Sequence, residues 1–84
     1  MVADMVLNQK EVSEMFKRIG ERIIYYRRLK EIRQVDLAAE AGISEQYLSR
    51  IERGEKSKGL SVYVLINIAK ALDVKPSEII SRTE

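Results

Sequence analysis

The apolar residues of this 84-residue chain recur at helical spacing along almost its whole length, and no sustained stretch alternates apolar with polar residues. Steps of three and four residues direct one side of a helix towards a core, whereas a half-buried strand requires a period of two. Only four glycines and one proline interrupt the pattern. The sequence therefore predicts an all-α fold built from several helices.

The first predicted helix runs from about residue 9 to residue 31. Asn8 opens it with a capping-box pattern, because Glu11 follows three residues later. Gly20 costs this helix about 1 kcal/mol relative to Ala, so a break at that position stays open. The apolar stripe of the helix repeats at steps of four and three residues and consists of Val12, Phe16, Ile19, Ile23 and Tyr26.

Four shorter helices are predicted to follow, over residues 34–41, 45–53, 62–72 and 76–80. Gly42 and Gly54 occupy positions where a left-handed residue would end a helix. Ser44 and Ser61 occupy N-cap positions, and Pro76 suits the first turn of the last helix. The predicted core stripe of the fourth helix follows the i, i+3, i+4, i+7 rule and consists of Val62, Leu65, Ile66, Ala69 and Leu72. We interpret residues 1–13 as an N-terminal extension and residues 14–84 as one domain.

Composition excludes several classes of protein. The chain contains neither cysteine nor histidine, so a disulfide framework and the usual zinc or haem ligand sets cannot form. Catalytic patterns that need those side chains are excluded as well, and no phosphate-binding glycine loop or carboxylate-pair motif is present. We expect no enzymatic activity, no cofactor and no metal. No apolar stretch approaches the ~20 residues that cross a bilayer, and a basic signal-peptide start is missing, so we expect a cytoplasmic location without membrane attachment.

Positive charge is concentrated in the middle of the chain. Residues 17–58 carry 11 Lys+Arg against 7 Asp+Glu, a local net charge of +4, whereas the remaining residues carry 4 against 6, a net charge of −2. Such a distribution favours a surface that faces a polyanion, although an ordinary solvated surface is an equal alternative.

The second and third predicted helices are joined by only three residues, Gly42, Ile43 and Ser44. So short a connection forces a tight bend, as in a helix-turn-helix whose second helix can enter the DNA major groove. The small side chain of Ala38 lies where the two helices would cross most closely. Spacing alone also permits a simple αα-hairpin within a generic bundle.

The segment from Gln34 to Gly54 resembles the Cro/cI-type (XRE) helix-turn-helix family, which has the lambda-repressor-like fold. The matching blocks are Q-V-D-L-A, G-I-S and Y-L-S-R-I-E-R-G. Upstream, I-G-E-R-I with Arg27 resembles the first helix of the family, and downstream L-I-N-I-A-K-A-L resembles the fourth. The resemblance implies a compact five-helix domain that binds double-stranded, palindromic operator DNA as a homodimer and regulates transcription as a repressor.

The resemblance also implies a set of DNA contacts. Gln34 would donate to a phosphate, unless its role is only to cap its helix. Gln46 could pair with adenine and Arg50 with guanine, whereas Glu45 could accept from cytosine N4. Tyr47 could pack on a thymine methyl group or give its hydroxyl to a phosphate. The whole predicted set is Gln34, Ser44, Glu45, Gln46, Tyr47 and Arg50, with Arg53, Lys56 and Lys58 contacting the backbone of the opposing strand.

Two further groups of residues would support this site. By resemblance, Glu52 pairs with Arg27 and fixes the recognition helix, while Ala38 and Gly42 shape the helix-turn-helix. Apolar residues near the C-terminus, where the family tends to dimerise, are predicted to form the dimer interface: Tyr63, Val64, Ile68, Val74, Ile79 and Ile80. The alternative is that these residues cover the first half of helix one around Val12 and Phe16.

A second function remains open on the same fold. The chain could be an antitoxin, or a controller of a restriction–modification system, whose main partner is another protein. An enzyme is the third class, and the absent catalytic patterns argue against it.

Overall fold

The computed structural model describes residues 6–55 and 60–81, and it contains helices and no strand within those ranges. The all-α prediction is confirmed. None of the helices in the described part of the chain is both long and apolar enough to cross a membrane. In chain order, the helices are α1 (Gln9–Leu29), α2 (Gln34–Ala41), α3 (Glu45–Glu52), α4 (Val62–Leu72) and α5 (Pro76–Ile80).

Local hydrogen bonds explain where the helices begin. At α1, the backbone N–H of Glu11 donates to Asn8 Oδ1 at 2.8 Å, and the Glu11 carboxylate accepts from the Asn8 N–H at 3.0 Å. Ser44 Oγ accepts from the N–H of Tyr47 at 3.0 Å and so opens α3. Ser61 opens α4 in the same way, at 3.2 Å from the N–H of Val64. The predicted N-termini of these helices are confirmed because they depend on neighbouring residues only.

The end of α1 differs slightly from the prediction. The helix ends at Leu29 rather than at residue 31. Glu31 adopts a left-handed backbone conformation with a φ of 56°, which turns the chain towards α2. Gly42 ends α2 with a φ of 73°, as its glycine predicted.

The core lies between all five helices. α1 packs against α3 and α5, while α2 packs against α3 and α4. The largest fully buried side chains come from every helix: Ile23, Leu37, Leu48, Ile68, Leu72 and Ile79. This arrangement leaves one side of α3 attached to α1 and α2 and the other side facing outwards.

The predicted core face of α4 is partly wrong. Val62 and Ile66 are 68% and 44% exposed, whereas Ile68 is completely buried. The actual buried face consists of Leu65, Ile68, Ala69 and Leu72. This set also satisfies the helical spacing rule, and because α4 is apolar on most sides, periodicity could not select between the two registers.

Gly20 does not break α1, which is continuous across it. It lies instead at the closest approach of α1 to the end of α3. A Cβ at this position would lie 2.5 Å from the carbonyl oxygen of Glu52 and 2.6 Å from that of Ile51. The missing side chain therefore lets the two helices approach, which outweighs the low helix propensity of glycine.

We predict that Gly20→Ala destabilises the domain, although alanine is the better helix former. The added methyl group must displace backbone atoms of α3, and overpacking of this kind costs about 1–3 kcal/mol. Urea unfolding of the variant and the parent measures the difference. Glu21→Ala, at the exposed neighbouring position, is the matched control and should stay within about 0.5 kcal/mol of the parent. A Gly20→Ala protein as stable as the parent would contradict the close approach.

Candidate nucleic-acid interface

The turn between α2 and α3 has the predicted form. The N–H of Ile43 donates to the carbonyl of Ala38 at 3.0 Å, and the N–H of Gly42 donates to that of Ala39 at 3.2 Å. A Cβ on Gly42 would meet no atom within 4 Å. Glycine is favoured there because of its left-handed backbone and not because of crowding. Ala38 is buried beneath the turn, and its small side chain allows the two helices to cross.

The two faces of α3 differ in burial. One face is buried and consists of Leu48, Ile51 and Glu52. The outer side carries a shallow concavity on the protein surface lined by Gln46, Ser49, Arg50 and Arg53. Of these, Gln46, Arg50 and Arg53 belong to the predicted DNA-contact set. Ser49 was not predicted, although its place three residues after Gln46 put it on the same face.

The predicted ion pair between α1 and α3 is present and buried. Arg27 Nε lies 2.8 Å from Glu52 Oε2, and Arg27 Nη2 lies 3.1 Å from Glu52 Oε1. The exposed fractions of the two side chains are 14% and 5%. Arg27 Nη1 also donates to the carbonyl of Ile32 at 3.1 Å, in the segment that leads into α2. The pair thus connects α1, the recognition helix and the approach to α2.

Gln34 belongs to the same network, which the sequence did not predict. Its Nε2 donates to Glu52 Oε1 at 3.0 Å. Gln34 is the first residue of α2, and the N-cap residue before it is Arg33. Because an amide nitrogen carries two hydrogens, Gln34 keeps a second N–H for another acceptor. Its phosphate contact therefore stays a prediction.

Tyr47 is oriented differently from the prediction. Its ring packs against the core, and its hydroxyl is buried and has no hydrogen-bond partner in the described part of the chain. A phosphate contact through this hydroxyl would require the side chain to turn outwards, and both roles considered for Tyr47 stay predictions. Tyr47 precedes Ile51 by one helical turn, so it lies at the edge of the buried face of α3. Packing against the core removes its apolar ring from water, which is favourable.

The rest of the predicted contact set lies around α3 or outside the described residues. Ser44 and Glu45 are exposed at its N-terminal end, whereas Lys56 and Lys58 lie outside the described residues. Arg33, at the start of α2, was not predicted to take part. Its Nε lies 2.8 Å from Asp36 Oδ2, and hydrogen bonding to that carboxylate raises the pKa of the Arg33 guanidinium.

The predicted dimer surface needs correction. Ile68 and Ile79 are completely buried within the core, so their assignment to an exposed interface is wrong. Ile68 belongs to the actual buried face of α4, whose predicted register is wrong, and Ile79 is the residue by which α5 packs into the core. The half-buried predicted residues, which pack against the core, are Val64, Val74 and Ile80.

Tyr63 keeps its predicted exposure, at 73%. Val62 and Ile66 are exposed beside it on α4. A second shallow concavity, between α4 and α5, is lined by Ile66, Val74 and Pro76 together with charged side chains. We call Val62, Tyr63 and Ile66 the α4 patch.

Comparison with known proteins defines the family. The helix-turn-helix family model matches residues 23–79. An HTH-type transcriptional regulator, y4dJ, of Sinorhizobium fredii is 35% identical over 71 residues, which span 84% of this chain and 90% of that protein. The chain belongs to the XRE family of helix-turn-helix, DNA-binding transcriptional regulators.

Solved structures are similar over most of their length. The restriction-modification controller protein C.AhdI from Aeromonas hydrophila superposes with a TM-score of 0.71 at 30% identity, over 76% of this chain and 94% of that one. The P22 c2 repressor, solved with a synthetic operator, superposes with a TM-score of 0.69 at 31% identity, over 77% of this chain and 96% of that one. SinR, solved in complex with DNA, superposes with a TM-score of 0.67 at 35% identity, over 75% of this chain and 98% of that one. The lambda-repressor-like fold is confirmed.

Proposed function

We propose that this regulator is a homodimeric repressor that inserts α3 into the major groove of a two-fold symmetric operator. One observation carries the proposal. The outer face of α3 brings Gln46, Ser49, Arg50 and Arg53 around one concavity, while the inner face is held by a buried ion pair to α1. A rigid helix with hydrogen-bonding side chains on its free face is what base recognition in the major groove requires.

The exposed side chains of α3 match the chemistry of base edges. Arg50 can direct its fork at guanine O6 and N7, and Gln46 can pair with N6 and N7 of adenine. Ser44 Oγ accepts the cap hydrogen bond from Tyr47 and keeps its own O–H to donate. Glu45 can accept from cytosine N4, whereas a phosphate near its carboxylate would be repelled.

Groups around the start of α2 would contact the DNA backbone. Gln34 retains one side-chain N–H, and the positive end of the α2 dipole would favour a phosphate beside it. The exposed guanidinium of Arg33 lies at the same helix start, but its ion pair with Asp36 offsets its charge, so we do not include it among these contacts. Lys56 and Lys58 would add positive charge after α3. These contacts would fix the orientation of α3 without reading sequence.

The relatives support DNA as the ligand, because two of the similar structures, the P22 c2 repressor and SinR, were solved with DNA. We propose that the chain acts as a repressor in the cytoplasm. A controller or antitoxin with a protein partner is the second candidate. It is favoured by the similarity to the controller C.AhdI and to SinR in its complex with SinI.

The α4 patch is the surface that we propose for dimerisation. Its three apolar side chains are exposed and continue through Ile66 into the concavity at Val74 and Pro76. Exposed contiguous apolar surface of this kind usually marks an interface. One recognition helix reads only a few base pairs, too few to select a site among ~10⁶ competitors in a genome. Two copies about 34–36 Å apart would double the sequence that is read.

Selection of bound duplexes from a random library tests the proposed function. We expect a two-fold symmetric site, and an affinity that falls with salt with a log–log slope of roughly −5 to −7 if six to eight phosphates are neutralised. Arg50→Ala should lose about 1–3 kcal/mol of binding free energy on that site and relax the base preference at one base pair per half-site. Lys10→Ala removes one exposed charge in the first turn of α1, outside the predicted DNA-contact set, and is the control. Failure to select any sequence, with a slope near zero, would contradict the proposal.

A charge placed on the α4 patch tests the dimer separately. Tyr63→Asp combined with Ile66→Asp should give a folded monomer of 9.7 kDa, because both side chains are exposed and their loss leaves the core intact. Sedimentation equilibrium measures the mass, and circular dichroism checks the fold. Leu29→Asp introduces the same charge at an exposed apolar residue of α1 and should leave the dimer unchanged. A parent protein that is monomeric at tens of micromolar and binds DNA without cooperativity would contradict dimerisation.

A further inference from the structure

The guanidinium of Arg53 is held in place by two neighbours on its own segment. Its Nε donates to Glu55 Oε2 at 2.9 Å, and its Nη1 donates to Ser49 Oγ at 2.6 Å. Arg53 is the C-cap of α3 and keeps a right-handed helical backbone, with φ of −79° and ψ of −3°. Its side chain therefore continues the face of α3 and lines the same concavity as Gln46 and Arg50.

These two hydrogen bonds determine which part of the guanidinium is available. Arginine has five N–H donors in a rigid, planar fork. Glu55 occupies the Nε side, and Ser49 occupies one hydrogen of Nη1. Within the described residues, the second hydrogen of Nη1 and both hydrogens of Nη2 have no partner, which leaves enough donors to pair with guanine O6 and N7.

A role as a phosphate anchor suits this arrangement poorly. A phosphate contact depends on net positive charge. The Glu55 carboxylate lies 2.9 Å from Arg53 Nε and offsets the positive charge of Arg53. An acidic group beside the contact would also repel the phosphate itself. Base recognition depends instead on the direction of the donors, which the two neighbours fix. The side chain is 57% exposed, so the fork is accessible.

We propose that Arg53 is a second base-reading arginine of α3, and that Ser49 and Glu55 are the positioning residues that direct its fork. The ligand is a guanine in the operator, at a base pair different from the one that Arg50 reads. This inference rests on the proposed function, since it requires α3 in the major groove. It replaces the backbone contact that the sequence predicted for Arg53.

The test compares selected binding sites and affinities of Arg53→Ala, Ser49→Ala, Glu55→Gln and the parent. Arg53→Ala should relax the preference at one base pair per half-site and weaken binding to the selected operator roughly 10- to 100-fold. Ser49→Ala and Glu55→Gln should relax the preference at the same base pair to a smaller extent than Arg53→Ala does. In these variants Arg53 is still present, but its fork is free to turn. Once Arg53 is alanine, adding Ser49→Ala should change nothing further. Lys10→Ala, which removes a charge elsewhere, is the matched control.

A different pattern would overturn the inference. If Arg53→Ala weakens all duplexes equally and reduces the salt slope by about 1 per contact removed, Arg53 binds a phosphate and reads no base. If Glu55→Gln raises affinity for every sequence and leaves the preference unchanged, Glu55 does not position Arg53. The Arg50→Ala variant distinguishes these outcomes from failure of the proposed function. Whenever α3 reads DNA, this variant should lose the base preference at the base pair that Arg50 contacts. Circular dichroism melting of each variant excludes loss of fold as the cause.

Discussion

The buried ion pair between Arg27 and Glu52 is the interaction on which the geometry of the site depends. Removing two charges from water is costly, and the cost is recovered only when the geometry is good and the remaining hydrogen-bonding groups have partners. Both conditions hold: the pair is bidentate, Gln34 donates to Glu52, and the carbonyl of Ile32 accepts from Arg27. The network therefore sets the position of α3 relative to α1 and α2.

Two glycines make this arrangement sterically feasible. Gly20 allows the carbonyls at the end of α3 to approach α1, and Gly54 lies against the backbone of Lys17, where a Cβ would come within 2.8 Å of the Lys17 Cα. Both lie near the end of α3 that carries Glu52. Close backbone packing and the ion pair act on the same segment, so the inner face of α3 is fixed and its outer face is free for recognition.

The features that could be predicted from the sequence are those that neighbouring residues determine. The caps at Asn8, Ser44 and Ser61 and the left-handed Gly42 depend on local chemistry, and the helices begin where those residues predict. The pairing of Arg27 with Glu52, 25 residues apart, came from the family resemblance, since no local rule joins two helices.

Other features required the packed structure. The register of α4 could not be read because its apolar residues satisfy two stripes, and the exchange of Ile66 for Ile68 follows from that ambiguity. The roles of Gly20 and Gln34 depend on atoms of α3 that are distant in sequence. Tyr47 looked like a surface residue by spacing, yet its ring reaches the core. Each of these depends on the crossing of two helices, which periodicity does not encode.

A double-mutant cycle on Arg27 and Glu52 tests the central claim most directly. The free energy of unfolding is measured in urea for the parent, Arg27→Met, Glu52→Met and the double variant. Each single variant should lose about 3–5 kcal/mol, because the partner charge is left buried. The double variant should be more stable than either single variant, since no unpaired charge remains. Additive losses, with the double variant the least stable of the four, would contradict the claim that this pair holds α3 in place.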